Sequence, residues 1–289
     1  VTFTQSYAVP NGGRTQIAIS ASNPAKLYVL AQLTAGGSVA IYNTTSGFLG
    51  VTPLVLPNDA DGNIAATDFT RGQSFYDLLL EVDPKNDENV FVGGIDLFKS
   101  TNGGSAWGQF SHWYGGFGYQ EVHADQHIAA FAPGDSNKMI FGNDGGIYYT
   151  DNAGTTTTAR NNGLNITQFY GMGVAPTTAI SGDYFAAGAQ DNGTQSFENA
   201  SAGIDGSVER YGGDGAYTFF DQDGTDTYFI RNYVYNNGIN LYNVANGTSV
   251  TINSENPQTG NGSFINEETL DSNLDILYTN YSASGNSIV

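Results

Sequence analysis

Short apolar runs, four to six residues long, alternate along this chain with clusters of Gly, Asn, Asp and Pro, and the order of the runs repeats. The clearest copy is Asp77-Leu78-Leu79-Leu80-Glu81-Val82, the turn Asp83-Pro84, then Asn89-Val90-Phe91-Val92-Gly93-Gly94 and Asp96-Leu97-Phe98-Lys99-Ser100. It closes on Thr101-Asn102-Gly103-Gly104 ahead of Trp107. A second copy follows the same order from His127-Ile128-Ala129-Ala130-Phe131 through Lys138–Gly142 and Gly146–Thr150 to Asp151-Asn152-Ala153-Gly154. Looser copies begin at Gln16, Phe169 and Ala216. Runs this short, bounded by turn formers and rich in aromatic and β-branched residues, predict strands; sustained helical spacing of apolar positions is absent.

The turn landmarks Pro84, Pro133, Pro176 and Gln222 are 49, 43 and 46 positions apart. A four-stranded propeller blade takes about 40–50 residues, whereas stacked β-solenoid turns are usually shorter and more regular. The expected fold is therefore all-β, a β-propeller of four-stranded antiparallel blades, with a solenoid as the rival. Blades are expected at 10–73, 74–121, 122–167, 168–208, 209–262 and 263–289. Residues 1–9, an alternating run, would supply the missing outer strand of the last blade. Phe264-Ile265-Asn266, Asp275–Tyr278 and Ser287-Ile288-Val289 fit its other three strands. That arrangement closes a six-bladed ring within 1–289 and leaves no sheet edge exposed; the alternative is that the chain is part of a larger propeller, chain or assembly.

Charge narrows the partners. There are 28 Asp and Glu against 9 Lys and Arg, a net of −19. Such a surface repels phosphate backbones and argues against nucleic acid. No run reaches the length of a membrane span, so no membrane insertion is expected. The absence of cysteine removes disulfides and thiolate metal sites. Few lysines with abundant Asn, Thr and Gly suggest an extracellular or cell-surface location.

Ser100-Thr101-Asn102-Gly103-Gly104-Ser105-Ala106-Trp107 resembles the Asp-box (BNR) motif, with Asn102 in the Asp position, and Thr150–Gly154 resembles a copy without the Trp. Val122–His127, Gly142–Tyr148, Leu164–Tyr170, Gln190–Thr194 and Gly212–Gly215 resemble the sortilin-like propellers of secreted Bacteroidetes surface proteins, many exported by the type IX system. The likeness covers about residues 74 to 250. It implies fold and location more than chemistry, and it implies that the box is a structural turn on a blade rim, with the Asn capping N–H groups and the Trp packed beneath.

Candidate chemistry falls in three places. Aligned on their turns, the repeats put Tyr76, Asp125, Gln168 and Asp214 at equivalent positions ahead of the inner strands. Strand alternation then puts His123, Asp125 and His127 on one face, with Asp144 and Asp191 nearby. In a propeller these line the central channel. The three could bind a transition metal, or simply hydrogen-bond across strands and to water. Asp59, Asp61 and Asn63, and likewise Asp221, Asp223 and Asp226, lie in loops with Asp-x-Asp-Gly spacing, which suits Ca²⁺ but lacks the later bidentate Glu of an EF-hand and is also ordinary turn chemistry. Trp113, Tyr114, Phe117 and Tyr119 crowd a Gly-rich segment fit to stack on a glycan or anchor a protein partner. Against this, the five Arg show no sialidase-type signature, and there is no Gly-x-Ser-x-Gly. The favoured function is a non-catalytic recognition, adhesion or assembly surface. A glycoside hydrolase using Asp125 with Asp214, or Asp77 with Asp144, is the first alternative, and a purely structural part of a larger surface protein the second.

Overall fold

Each expected repeat folds as one antiparallel meander. The computed structural model describes residues 5, 7–33, 38–65, 67–164, 166–203, 206–253 and 262–280, and these divide into two compact units, 1–164 and 165–289. In the first unit, β1 (Gly12–Ile19), β2 (Leu27–Leu33), β3 (Val39–Thr44) and β4 (Thr52–Pro53) form one sheet, and β5 (Leu79–Val82), β6 (Val90–Gly93), β7 (Leu97–Ser100) and β8 (Gly108–Gln109) a second. After the short parallel pair β9 (Ser111–His112) and β10 (Gln120–Glu121), the third sheet comprises β11 (Gln126–Phe131), β12 (Met139–Asn143), β13 (Gly146–Thr150) and β14 (Thr158–Ala159). The second unit holds β15 (Gly171–Val174), β16 (Phe185–Ala189), β17 (Gly193–Phe197) and β18 (Ser207–Tyr211), then β19 (Gly215–Phe220), β20 (Tyr228–Tyr233), β21 (Ile239–Asn243) and β22 (Thr248–Asn253). It ends on the two-stranded β23 (Glu268–Asp271) and β24 (Ile276–Thr279). Every four-stranded sheet keeps strict sequence order. No described helix is long and apolar enough to cross a membrane.

The continuous Leu78-Leu79-Leu80 run, which breaks simple in-out alternation, has a direct cause: the middle sheet of the first unit is covered on both faces. Leu80, Val90, Val92 and Phe98 pack towards Tyr28, Leu30 and Ile41 of the first sheet. Leu79, Phe91 and Leu97 point the other way, to Met139 and Phe141 of the third. Fully burying a Leu or Phe is worth about 1.5–3 kcal/mol, so this face-to-face stacking is what holds the unit. The second unit repeats the scheme. Phe229 packs with Ala186, Phe220 and Tyr242, while its neighbours Tyr228 and Ile230 pack with Ile239, Leu270 and Leu277. Sheets stacked by their faces, with inner strands adjacent, are propeller blades.

Three blades of the first unit end their third strand in the same turn. The hydroxyl of the strand's last residue (Thr44, Ser100, Thr150) accepts from the N–H four positions on, at 3.3 Å from Phe48, 2.8 Å from Gly104 and 3.0 Å from Gly154. The side chain two positions on (Ser46, Asn102, Asn152) accepts from the N–H of Gly50, Ala106 and Thr156 at 3.0, 2.9 and 2.8 Å. Both left-handed positions recur as well: Gly47 and Phe48, Gly103 and Gly104, Ala153 and Gly154. The copy at Thr44 has neither the Asn nor the Trp, which is why its sequence does not announce it. Trp107 lies against the core between the first two sheets and donates from Nε1 to Val55 O at 2.8 Å.

Two end assignments change. Phe264–Asn266 is not a strand; the last sheet starts at Glu268–Asp271, whose acidic residues disguise it, while Phe264 packs edge-on against Tyr235 at 5.3 Å. Gln5 and Tyr7–Val9 carry no strand, and Tyr7 stacks on Phe48 at 5.9 Å. The remaining expected end strands, Val1–Thr4 and Ser287–Val289, lie outside the described residues.

Candidate functional site

Two of the three predicted places in the sequence, the first Asp-rich loop and the aromatic segment, come together in the first unit. Asp59 and Asp61 face Arg71, whose Nη2 is 3.3 Å from Asp59 Oδ2 and also bonds Asp61 Oδ2. Asp61 then receives the aromatic segment: Tyr114 Oη donates to its Oδ1 at 3.0 Å and Trp113 Nε1 to its Oδ2 at 3.4 Å. His112 Nε2 lies 3.2 Å from the same carboxylate. The Arg71 guanidinium also sits 6.0 Å from the Trp113 ring. Burial works against the Asp61 carboxylate, but the bonds from Tyr114, Arg71 and Trp113 outweigh it and hold its pKa below the usual range. The loop expected to attract Ca²⁺ thus faces a cation the chain itself supplies, and Asn63 is a left-handed turn residue (φ 69°).

Behind Arg71 lies Asp96, completely buried, with Oδ2 4.0 Å from Nη2. It accepts from Gln109 Nε2 at 3.2 Å, and Gln109 Oε1 accepts from Ala60 N at 2.9 Å. Burial first, and then Asp59, push the Asp96 carboxyl up to about 8. One guanidinium meets three carboxylates, and the deepest keeps its proton.

The aromatic faces stay open above this base. Trp113, Tyr114 and Phe117 are 41, 51 and 59 % exposed, while His112 beneath them is fully buried, 4.1 Å from the Tyr114 ring and 5.2 Å from Phe117. Tyr119 is half-buried and closes the loop by donating its N–H to Gly116 O at 2.8 Å. Parallel strands normally need a long crossover. Here β9 and β10 pair across a short excursion because Gly115, Gly116, Phe117 and Gly118 are all left-handed (φ 69, 98, 50 and 83°). Only Phe117 has a side chain to strain at such a position, a cost of about 1–2 kcal/mol.

The predicted channel residues of the first unit also meet. Tyr76 Oη donates to Asp144 at 2.8 and 3.0 Å, His127 Nε2 lies 2.5 Å from Asp144 Oδ1, and carboxylate oxygens of Asp125 and Asp144 come within 4.8 Å. His123, Asp125 and His127 do not share a face as strand alternation predicts. β11 begins only at Gln126, Asp125 is left-handed (φ 65°), and the His123 ring packs on Gly145. Among the described residues those three do not gather about one point.

In the second unit, Asp191, left-handed at φ 58°, donates its N–H to Asp214 Oδ1 at 3.2 Å, and Gln168 is exposed ahead of β15. Asp221, Asp223 and Asp226 do not converge as three ligands. Asp223 Oδ1 is taken by the Thr225 N–H and hydroxyl, each at 2.7 Å, while Asp221 is buried. Turn chemistry accounts for that loop.

Sequence reasoning missed Arg71 and Asp96. The available signal was scarcity: five Arg among 28 acidic residues means that each Arg has many suitors, and Arg71 stands twelve residues after Asp59. It also left Asp77 outside its channel set, although a carboxylate directly before three leucines is the pattern of a buried acid.

No protein-family model matches the chain, and no curated protein matches its sequence. Among solved structures it is similar to a GH74 enzyme of Niastella koreensis at 18 % identity and TM-score 0.37, covering 82 % of this chain and 38 % of that one. It is similar to the GH74 xyloglucanase of Xanthomonas campestris at 13 % and 0.35, covering 94 % and 44 %. YCF48 of Cyanidioschyzon merolae matches at 14 % and 0.33, covering 86 % and 72 %. The chain spans less than half the length of either GH74 protein. What the chain has in common with them is fold alone: it is an all-β protein of four-stranded, antiparallel β-propeller blades.

Proposed function

We propose that this chain is a non-catalytic recognition module, working outside the cell, whose ligand stacks on Trp113, Tyr114 and Phe117. One observation carries the reading. The polar atoms of Trp113 and Tyr114 are both tied to Asp61, itself fixed by Arg71, while their ring faces remain open. Rings held this way lose little freedom on binding, which is where aromatic contacts gain their affinity. Because Arg71 is engaged by carboxylates, the platform offers no cation for an anionic ligand, and the net charge of −19 opposes one. A neutral glycan fits these surroundings: its C–H faces stack on rings and its hydroxyls bond to the rim. The Asp-box-like turns and the resemblance to sortilin-like Bacteroidetes surface propellers support a surface setting, with 1–289 as a propeller or as part of a larger one.

The hydrolase alternative has weaker support. Asp77 is fully buried and Asp125 is 6 % exposed, so neither is placed to flank a glycosidic bond, which hydrolysis requires of two carboxyl groups. A glycan array probed with the wild-type chain, Trp113→Ala and Tyr114→Ala tests the proposal. Each substitution is expected to weaken binding to the retained glycans about tenfold or more. Equal binding by all three proteins would remove the platform from the account.

A further inference from the structure

We infer that Asp77, Asp125 and Asp144 form a binding site for a hard divalent cation, distinct from both Asp-x-Asp-Gly loops. The three carboxylates come from three places in the first unit: the segment entering β5, the residue before β11, and the β12–β13 turn. Asp77 is completely buried, and neither of its carboxylate oxygens has a hydrogen-bond partner among the described residues. A buried carboxyl without a donor is costly. The polar arrangement around it supplies further acceptors, because its strongest charged neighbour is Asp125, with Asp144 acting in the same direction.

The basic groups nearby do not neutralise the cluster. Arg14 Nη1 donates to the backbone carbonyls of Tyr76 and, at 3.3 Å, Phe75. His127 and Tyr76 both bond Asp144 and fix the direction of its carboxylate, as outer partners of a metal ligand do. The spacing suits an ion. Two oxygens on opposite sides of Ca²⁺, each bonded at about 2.3–2.6 Å, lie about 4.6–5.2 Å apart, and adjacent ones lie closer. Asp125 and Asp144 oxygens within 4.8 Å meet that limit. An all-carboxylate set selects Ca²⁺ or Mg²⁺ over softer metals. At Asp59 and Asp61 the equivalent place is held by Arg71, and Asp223 is spent on Thr225, so neither loop competes on this chemistry.

Calorimetric titration of the chelator-treated full chain with CaCl₂, and separately with MgCl₂, tests the assignment, alongside thermal unfolding with and without the ion. A saturable heat and a raised midpoint are expected. Both should be weakened about tenfold or more in affinity by Asp77→Asn and by Asp144→Asn, and left unchanged by Asp223→Asn and Trp113→Ala. Asp144 is partly exposed, so its variant remains informative if Asp77→Asn does not fold. Absence of heat and of stabilisation with both ions overturns the inference. So does binding that survives in Asp144→Asn but is lost in Asp223→Asn. Trp113→Ala separates this site from the platform, since failure of one leaves the other standing.

Discussion

Replacing Asp96 by Asn should stabilise the protein at neutral pH and do little in acid. Asp96 is fully buried behind Arg71, and its carboxyl is pushed up from 3.8 to about 8. Between those values the folded chain holds a proton that the unfolded chain has released. The stabilisation tied to that proton is complete below about pH 3.8 and is lost as pH rises through about 8. The slope for one such group is about 1.4 kcal/mol per pH unit. Asn keeps the shape of the protonated acid, can still accept from Gln109, and does not titrate. The stability difference, variant minus wild type, should therefore grow by about 2–3 kcal/mol from pH 5 to pH 7, less whatever part of the effect relaxation and water penetration remove. Urea denaturation of both proteins at pH 5, 6 and 7 reads this directly, because groups titrating alike in both proteins cancel. A difference that is flat with pH, or one that shrinks as pH rises, would refute the idea that Asp96 is the protonated member of the trio.

Three further outcomes follow from the same geometry. Asp61→Ala, which touches no ring, should weaken platform binding as Trp113→Ala does and destabilise the fold by about 1–3 kcal/mol, because Trp113 and Tyr114 lose their anchor; array binding and denaturation check both halves. Since the Asp61 pKa is lowered, its contribution is present above the unfolded value near 3.8 and is lost as pH falls below it, so binding should be constant from pH 5 to 8 and fail only in stronger acid. Gly104→Ala should cost about 1–3 kcal/mol, since the position is left-handed (φ 84°) and a Cβ would come 2.6 Å from Leu54 Cδ1; the denaturation midpoint reports it.

Much of the fold was legible because local chemistry and burial agree in the blades. The Leu78-Leu79-Leu80 run marks a strand covered on both sides, and Asp83-Pro84 and Asn102-Gly103-Gly104 mark its turns. Glu268–Asp271 was hidden because its acidic residues give no apolar alternation, and the nearby Phe264 drew the assignment away. The site was half legible. Trp113 and Tyr114 were visible as a cluster, and Asp59 and Asp61 as an acidic loop. Nothing local says that Arg71, ten residues beyond one and far from the other, binds the two together. The alternation argument failed at Asp125 because a single left-handed residue reverses the side-chain order, and that conformation leaves no mark on a non-glycine position.

The central claim is that ligand binds against the Trp113 face. Trp107→Phe leaves Trp113 as the only tryptophan of the chain, and its fluorescence can be followed while a panel of neutral oligosaccharides is titrated in. Binding should shift its emission to the blue and shield it from acrylamide, with the same midpoint as calorimetry. Calorimetric binding that leaves emission and quenching unchanged, or a panel in which nothing binds, would contradict the account.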